Sequence, residues 1–415
     1  MVSKVFGFIS EEAKRQKEVL EMIPSENYTS ADVMRATGSV LTNKYSEGYP
    51  HKRYYQGNNV IDKVEDYAID LAKKLFKVPH VNVQPYSGSP ANTAVYFALM
   101  EPFKDKIMGL SLAFGGHLTH GSPVSISGKY FPVVSYHVGE DGYLDYDEIE
   151  KLALKEKPKI IVCGFTAYSR IIDFKRFASI ADKVGAYLFA DISHITGLVI
   201  AGVHPPPTPF VHIIMTNDPA LAKKIDRAVF PGLQGGPHDN TTAGIAVALE
   251  EAGTPAFKKY GTQIVKNAKA LEKQLLKNGF NIVSGGTDNH LILIDLQNKN
   301  VNGAVAALAL EVAGVVLNKN AVPNDPMPPF YPSGIRMGTP ALTTRGMKEK
   351  DMVKVANWIK EVVDEVGGLK MPKDKEERSI FWKSFRKEVV KNQKLLKIAE
   401  EIKKFAGKFP VPGIQ

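Results

Sequence analysis

The chain has 415 residues, a formal net charge of +9 and a pI near 9.2, and that length predicts two domains rather than one simple core. Its 44% hydrophobic and 23% charged residues, with a mean hydropathy of −0.15, are ordinary for a soluble globular protein, and a single cysteine, Cys163, excludes internal disulfides and suits a reducing cytoplasm. The charge favours anionic partners; the lysine-rich stretch Lys370 to Lys408 is interleaved with acids at helical spacing, so it reads as solvated helix faces with nucleic-acid binding a minor alternative, and an acidic small-molecule substrate fits the charge equally well.

In chain order, the start lacks a signal-peptide hydrophobic region, and residues 8 to 22 predict an amphipathic helical arm. Ile23-Pro-Ser-Glu-Asn-Tyr-Thr-Ser30 has no periodic apolar face and reads as a loop. A second loop, Asn43 to Gly57, carries four tyrosines and a glutamate; loops of that length in compact domains are functional or disordered, and its aromatics argue against disorder. Asp62 to Lys77 returns to a helical period. Val81-Asn-Val-Gln-Pro is a short strand, and Tyr86-Ser-Gly-Ser-Pro-Ala-Asn92 leads to a helix over Thr93 to Met100. Ser87, Gly88 and Ser89 therefore stand at a helix N-terminus, where free N–H groups and the dipole suit an anion; a simple cap is the plain alternative.

Ile107 to Leu112 predicts a strand, and Ala113-Phe-Gly-Gly-His-Leu-Thr-His-Gly121 is a glycine-rich loop in which a histidine ring can approach a flat ligand. Further strands are expected at Tyr130 to Val138, Ile160 to Phe165 and Tyr187 to Ala190, with helices at Tyr146 to Leu154 and Phe174 to Val184. The alternation argues a parallel sheet covered on both faces. Cys163 falls in the apolar run Lys159 to Gly164 and reads as a packed core thiol. Asp191 closes the Tyr187 to Ala190 strand, with His194 three residues on; ligands of such sheets sit at the carboxyl ends of strands. A buried carboxylate there needs a cationic partner, whether a substrate cation, a metal or a protonated ring nitrogen, unless it merely caps a helix. From about Glu250 the pattern changes to the long helix Pro255 to Asn278 and then an α+β unit. In it, Ser333-Gly-Ile-Arg-Met-Gly-Thr-Pro340 sets Arg336 between glycines, where its fork suits a carboxylate, a structural salt bridge being the commoner fate. The best apolar run, Gly303 to Leu317, is broken by Glu311, so no membrane span is expected.

These segments together resemble the serine hydroxymethyltransferase family of fold-type I pyridoxal-phosphate enzymes, from about Ile23 to Thr344. The resemblance rests on PSENYTS, LTNKYSEGYPHKRYYQG, VNVQPYSGSPAN, GGHLTHGSP, ADISHITGL, AVFPGLQGGP, VSGGTDNHL, LNKNAVPNDP and SGIRMGTPA, in that order. It implies an α/β fold of the aspartate-aminotransferase type, with an arm (1–22), a large cofactor-binding domain (23–250) and a small α+β domain (251–415). By the same resemblance Asp191 pairs with the protonated pyridine nitrogen, His117 stacks on the ring, Thr166 and His194 lie near its phenolic oxygen, and Ser87, Gly88 and Ser89 cradle its phosphate. Tyr45, Glu47, Tyr55 and the Gly235-Gly236 turn come from a neighbouring subunit, which implies a homodimer or a tetramer, and Glu47 is the acid/base beside the serine hydroxyl. Arg336 and Ser25 hold the amino-acid carboxylate, while Leu112, Gly116, Leu118 and Asn320 form a folate pocket; no metal is expected. The implied reaction is the reversible conversion of L-serine and tetrahydrofolate to glycine and 5,10-methylenetetrahydrofolate, in the cytoplasm. A threonine-aldolase-like activity is a rival that the NKNAVPNDP loop argues against.

One segment breaks the pattern. After the Asp191 strand the family has another strand and a threonine-rich turn ending His-Lys-Thr, whose lysine carries the cofactor covalently. Here Pro209-Phe-Val-His212 runs straight into Ile213-Ile-Met-Thr-Asn-Asp218. Lys44, Lys223, Lys224 and Lys319 do not replace that lysine, because none has the desolvated setting that a neutral reactive amine needs. Either a segment has dropped out between His212 and Ile213, which the clean break favours, or the protein lacks it and is a non-catalytic binding relative of the same fold.

Overall fold

The computed structural model describes residues 3–207 and 214–414, so the junction between His212 and Ile213 lies outside the described residues. Four parallel strands, β1 (Ile107–Leu110), β2 (Val133–Tyr136), β3 (Ile160–Cys163) and β4 (Tyr187–Ala190), form one sheet in the order β2-β1-β3-β4. Every residue of β1 and β3 is buried. That is the pattern of strands covered on both faces, and it bears out the expected parallel sheet. A separate antiparallel pair joins His80–Val81 to Met215–Thr216. The strand expected at Val81 to Pro85 is therefore two residues long, because its partner offers only two.

The helix Phe174–Val184 shows how local sequence builds the layer over the sheet. Asp173 caps its start by accepting from the backbone N–H groups of Lys175 and Arg176, and Gly185 ends it at φ 67°, a left-handed position that suits glycine. Between the caps, Phe174, Phe177, Ala178, Ile180 and Ala181 form a buried stripe against β3 and β4. Fully burying one such side chain stabilises by roughly 1.5–3 kcal/mol. Phe177 to a polar residue is the single change that would detach it.

The other expected elements match their spans within a few residues, with three differences, and helices such as Asp239–Ala252 and Glu349–Glu365 had no expected span. The first runs Lys4–Glu18 and gives way to a short strand, Leu20–Glu21, paired in parallel with Val315–Val316. The helix expected from Thr93 begins at Gly88 and runs to Leu99, because Pro90 lies in the first turn, where its missing N–H costs nothing. The strand expected from Tyr130 splits into a helical turn, Ile126–Tyr130, and β2. Cys163 is fully buried, as expected, and burial pushes its thiol far up.

A second sheet is antiparallel: β5 (Asn281–Ile282), β6 (Leu291–Asp295), β7 (Asn318–Asn320) and β8 (Gly334–Gly338), in the order β5-β6-β8-β7. Its apolar face meets Leu271 and Leu275 of the helix Pro255–Lys277, the helix Gly303–Val312 and the tail residues Leu395, Ile398 and Ile402. Leu20 and Met22 join this second core. The carboxyl ends of β3 and β4 and the middle of β8 point the site residues toward one another.

Candidate active site

The site begins where β3 and β4 end. Gly164, at φ 128°, lets the two strand ends touch: a Cβ there would lie 1.9 Å from the Asp191 carbonyl oxygen. The Asp191 N–H donates to the Cys163 carbonyl at 2.8 Å, which continues the strand pairing up to this carboxylate. Its side chain is 11% exposed and holds four donors. Oδ2 accepts from His120 Nε2 at 3.0 Å and Asn92 Nδ2 at 2.9 Å, and Oδ1 accepts from the Ser193 N–H at 3.1 Å and the Ser193 hydroxyl at 2.5 Å. Burial alone would raise its pKa, but the hydrogen bonds of His120, Ser193 and Asn92 hold it far below the carboxylate range. Asp191 is thus a permanent buried anion and not merely a cap.

His120, Asn92 and Ser193 were not picked out by sequence reasoning. His120 accepts the His117 N–H at Nδ1 (3.4 Å), which leaves its proton on Nε2 for Asp191. The signal was present as the second histidine of GGHLTHG. His117 is half-buried, bonded through Nδ1 to the Thr119 hydroxyl at 2.8 Å, and burial lowers its pKa. Ser87 is the N-cap of the helix Gly88–Leu99, yet its hydroxyl makes no capping bond, and Ser193 Oγ lies 3.9 Å from where a Gly88 Cβ would be. The serine-glycine-serine turn therefore faces Asp191's own loop with its hydroxyl uncommitted.

Arg336 comes from the middle of β8 and is 6% exposed. Its Nε donates to Asn318 Oδ1 at 3.0 Å and its Nη1 to the Thr166 carbonyl at 2.5 Å. No carboxylate pairs with it among the described residues, and burial brings its pKa down to about 10. The structural salt bridge is thereby set aside. A buried guanidinium with only neutral partners, and with Nη2 unfilled among the described residues, is costly, and an anion would relieve that cost. His194 lies beside it, lowered to about 4 by burial and then by Arg336, so the ring is neutral at pH 7. Ser25, Ser193, His194 and His290 line one cavity of about 340 Å³.

A larger cavity of about 740 Å³ is lined by Leu112, Asn320, Phe114, Lys319 and Met327, and it reaches His120. The structure brings Leu112 and Asn320 together but leaves Gly116 and Leu118 out of that lining. Gly116 has a packing reason instead, since a Cβ there would lie 1.9 Å from the Leu110 carbonyl oxygen.

The remaining candidates gather elsewhere on the chain. Tyr45 donates to Glu47 at 3.1 Å and meets Tyr55 edge-on at 5.3 Å, while a Cβ on Gly235 or Gly236 would lie 3.1 Å from Glu47 or 3.2 Å from the Tyr45 ring. Tyr45 and Tyr55 are about half exposed. These residues form a single surface patch, joined to the stretch before the serine-glycine-serine turn by the Tyr86 hydroxyl, which donates to the Gly236 carbonyl at 2.8 Å, by the Tyr86 N–H, which donates to Gln234 Oε1 at 3.1 Å, and by the Tyr86 ring, which stacks on His238. Lys223 and Lys224 are exposed, Lys44 is bonded to the carbonyls of Tyr45 and Gln56, and Lys319 to that of Phe330.

With this geometry in view, the family model described as serine hydroxymethyltransferase matches residues 2–220 and 217–359. A curated serine hydroxymethyltransferase of Desulfotalea psychrophila is 51% identical over 427 aligned positions, covering 99% of this chain and 95% of that protein. One of Acidothermus cellulolyticus is 50% identical over 426 positions, covering 99% and 96%. Both alignments are longer than the 415 residues of this chain, so the relatives carry residues that it lacks. The family match also divides into two stretches that overlap at residues 217–220.

Proposed function

The chain belongs to the serine hydroxymethyltransferase family, and we propose that it interconverts L-serine and glycine with tetrahydrofolate as the one-carbon acceptor and pyridoxal phosphate as cofactor. The observation that carries this reading is the pairing of opposite charges across one site: the permanent anion Asp191 and the unpaired cation Arg336. A cationic ring nitrogen complements the first and an amino-acid carboxylate the second. Bound pyridoxal phosphate supplies an electron sink for charge at the carbon that loses its hydroxymethyl group.

The chain's own residues do the rest. Asp191 would hold the ring proton on the nitrogen, and of its four donors only the Ser193 hydroxyl rotates freely to make way. Ser87, Gly88 and Ser89 would take the phosphate at the helix start, where backbone N–H groups face outward. His117 would lie against the ring and Thr166 beside it. Arg336, with Ser25 and His194, would orient the carboxylate, and the neutral His194 ring adds one N–H donor without a second positive charge. Leu112 and Asn320 of the larger cavity would take the folate.

Glu47 would move a proton at the serine hydroxyl. It lies in the Tyr45, Tyr55, Gly235 and Gly236 patch, which supports a homodimer in which a second copy completes the site. The same reading divides the chain into the arm, the large domain and the small domain near residues 22 and 250, with Leu20 and Met22 packing on the small domain.

A second reading has one observation in its favour: no lysine stands between Lys183 and Lys223. Without an amine there, the protein would bind cofactor and substrate but turn over poorly. The two readings separate in one experiment. Purified protein is loaded with pyridoxal phosphate, reduced with borohydride and weighed intact, and serine-dependent formation of methylenetetrahydrofolate is assayed in parallel. Turnover with a pyridoxyl adduct supports the enzyme and maps the amine in use. A 45.6 kDa chain with no adduct and no turnover supports the binding protein.

A further inference from the structure

His290 sits immediately before β6, and its backbone is fixed on both sides. Asn289 Oδ1 accepts the Leu291 N–H at 3.0 Å, and the His290 carbonyl accepts the Thr339 N–H at 3.1 Å. His290 is 2% exposed, and neither ring nitrogen has a partner among the described residues. A buried imidazole kept for hydrogen bonding would use at least one nitrogen. What this ring does use is its face: it lies against His194 with centroids 5.8 Å apart and planes 26° from parallel. His194 Nδ1 is buried and also unpartnered, so packing alone sets the plane of that ring.

We propose that His290 is a positioning residue, whose flat ring seals the buried face of His194 and fixes the plane in which His194 meets the substrate. The inference rests on the functional reading above, in which His194 helps orient the carboxylate. The charges around the pair fit it. Arg336, Asp191 and His117 act on His194, while Arg336 and His204 act on His290; Glu26 and Tyr260 line the adjoining cavity. Of the neighbours acting on the pair, only Asp191 favours protonation, and its oxygens are already committed to His120, Asn92 and Ser193. Burial and then Arg336 keep His194 neutral, and burial and then His194 keep His290 neutral, so the two rings stack without repulsion.

The test compares His290→Phe, which keeps a flat ring, with His290→Ala, which opens the space beneath His194. Two readouts are taken on the full-length protein: histidine-ring NMR titration without any ligand, and glycine affinity with pyridoxal phosphate bound. In wild type and His290→Phe, His194 should titrate near 4. In His290→Ala water reaches the ring, and its midpoint should move up toward the ordinary 6.5 while glycine binding weakens about tenfold. If the alanine variant does not fold, His290→Asn replaces it with the same expectation. An unmoved His194 titration in a folded Ala or Asn variant overturns the proposal, whatever happens to the melting temperature. A moved titration with unchanged glycine affinity would uphold the packing role and overturn the carboxylate role of His194 instead.

Discussion

Two buried arginines, nine residues apart in the chain, are treated in opposite ways. Arg345, 2% exposed, gives its guanidinium to five backbone carbonyls, those of Gln16, Lys17, Val19, Ala406 and Phe409. It ties the end of the first helix to the end of the last. Arg336, 6% exposed, has one side-chain amide and one carbonyl, and its Nη2 donates to nothing among the described residues. Burial lowers the pKa of both. The difference lies in the fork: a filled one marks a staple, and a half-empty one marks a receptor for an anion that brings its own charge.

The largest effect expected from this contrast is on stability. Arg345→Ala strands five carbonyls and should cost about 3–5 kcal/mol in urea unfolding, with glycine affinity of the folded fraction unchanged. Arg336→Lys should do the reverse. Losing the planar fork should weaken glycine binding by about 2–3 kcal/mol, with folding stability held within about 1 kcal/mol. If Arg336→Lys unfolds the protein as readily as Arg345→Ala does, the two arginines do the same job and the contrast is broken.

A smaller effect sharpens the neutral setting of Arg336. His194 and His290 have folded pKa values of about 4 and about 3, depressed below the ordinary 6.5. Because the unfolded chain takes up protons first, the stability these rings contribute is complete above pH 6.5 and is lost as pH falls toward those values. Between pH 6.5 and pH 5 the loss should be roughly 2 kcal/mol per ring. Urea midpoints measured across that window should fall, and His290→Phe should remove one ring's share of the slope. A flat profile would mean that the rings are hydrated.

Much of this was legible in the sequence, for identifiable reasons. The strand Tyr187–Ala190 and the helix Phe174–Val184 have the bounds expected, since an apolar run, an aspartate cap and a stop glycine agree there. Asp191 and Arg336 stood out because each is a charge set among strand or glycine residues. What stayed hidden depends on tertiary partners. Nothing local distinguishes His120 from any loop histidine, and only the fold shows that it anchors Asp191. His290 lies inside a quoted motif, but its role depends on a ring nearly a hundred residues away. That Arg336 lacks a carboxylate partner among the described residues depends on its neighbours in space, which no linear pattern records.

The most direct test of the central claim, that Asp191 and Arg336 form one site for cofactor and amino acid, is a visible-absorbance titration. The full chain is loaded with pyridoxal phosphate and titrated with glycine, beside Asp191→Asn and Arg336→Lys. The expected result is a saturable spectral change in the wild type, a shift of the curve to higher glycine in Arg336→Lys with cofactor retained, and loss of the long-wavelength change in Asp191→Asn. Wild-type behaviour from both variants would contradict it.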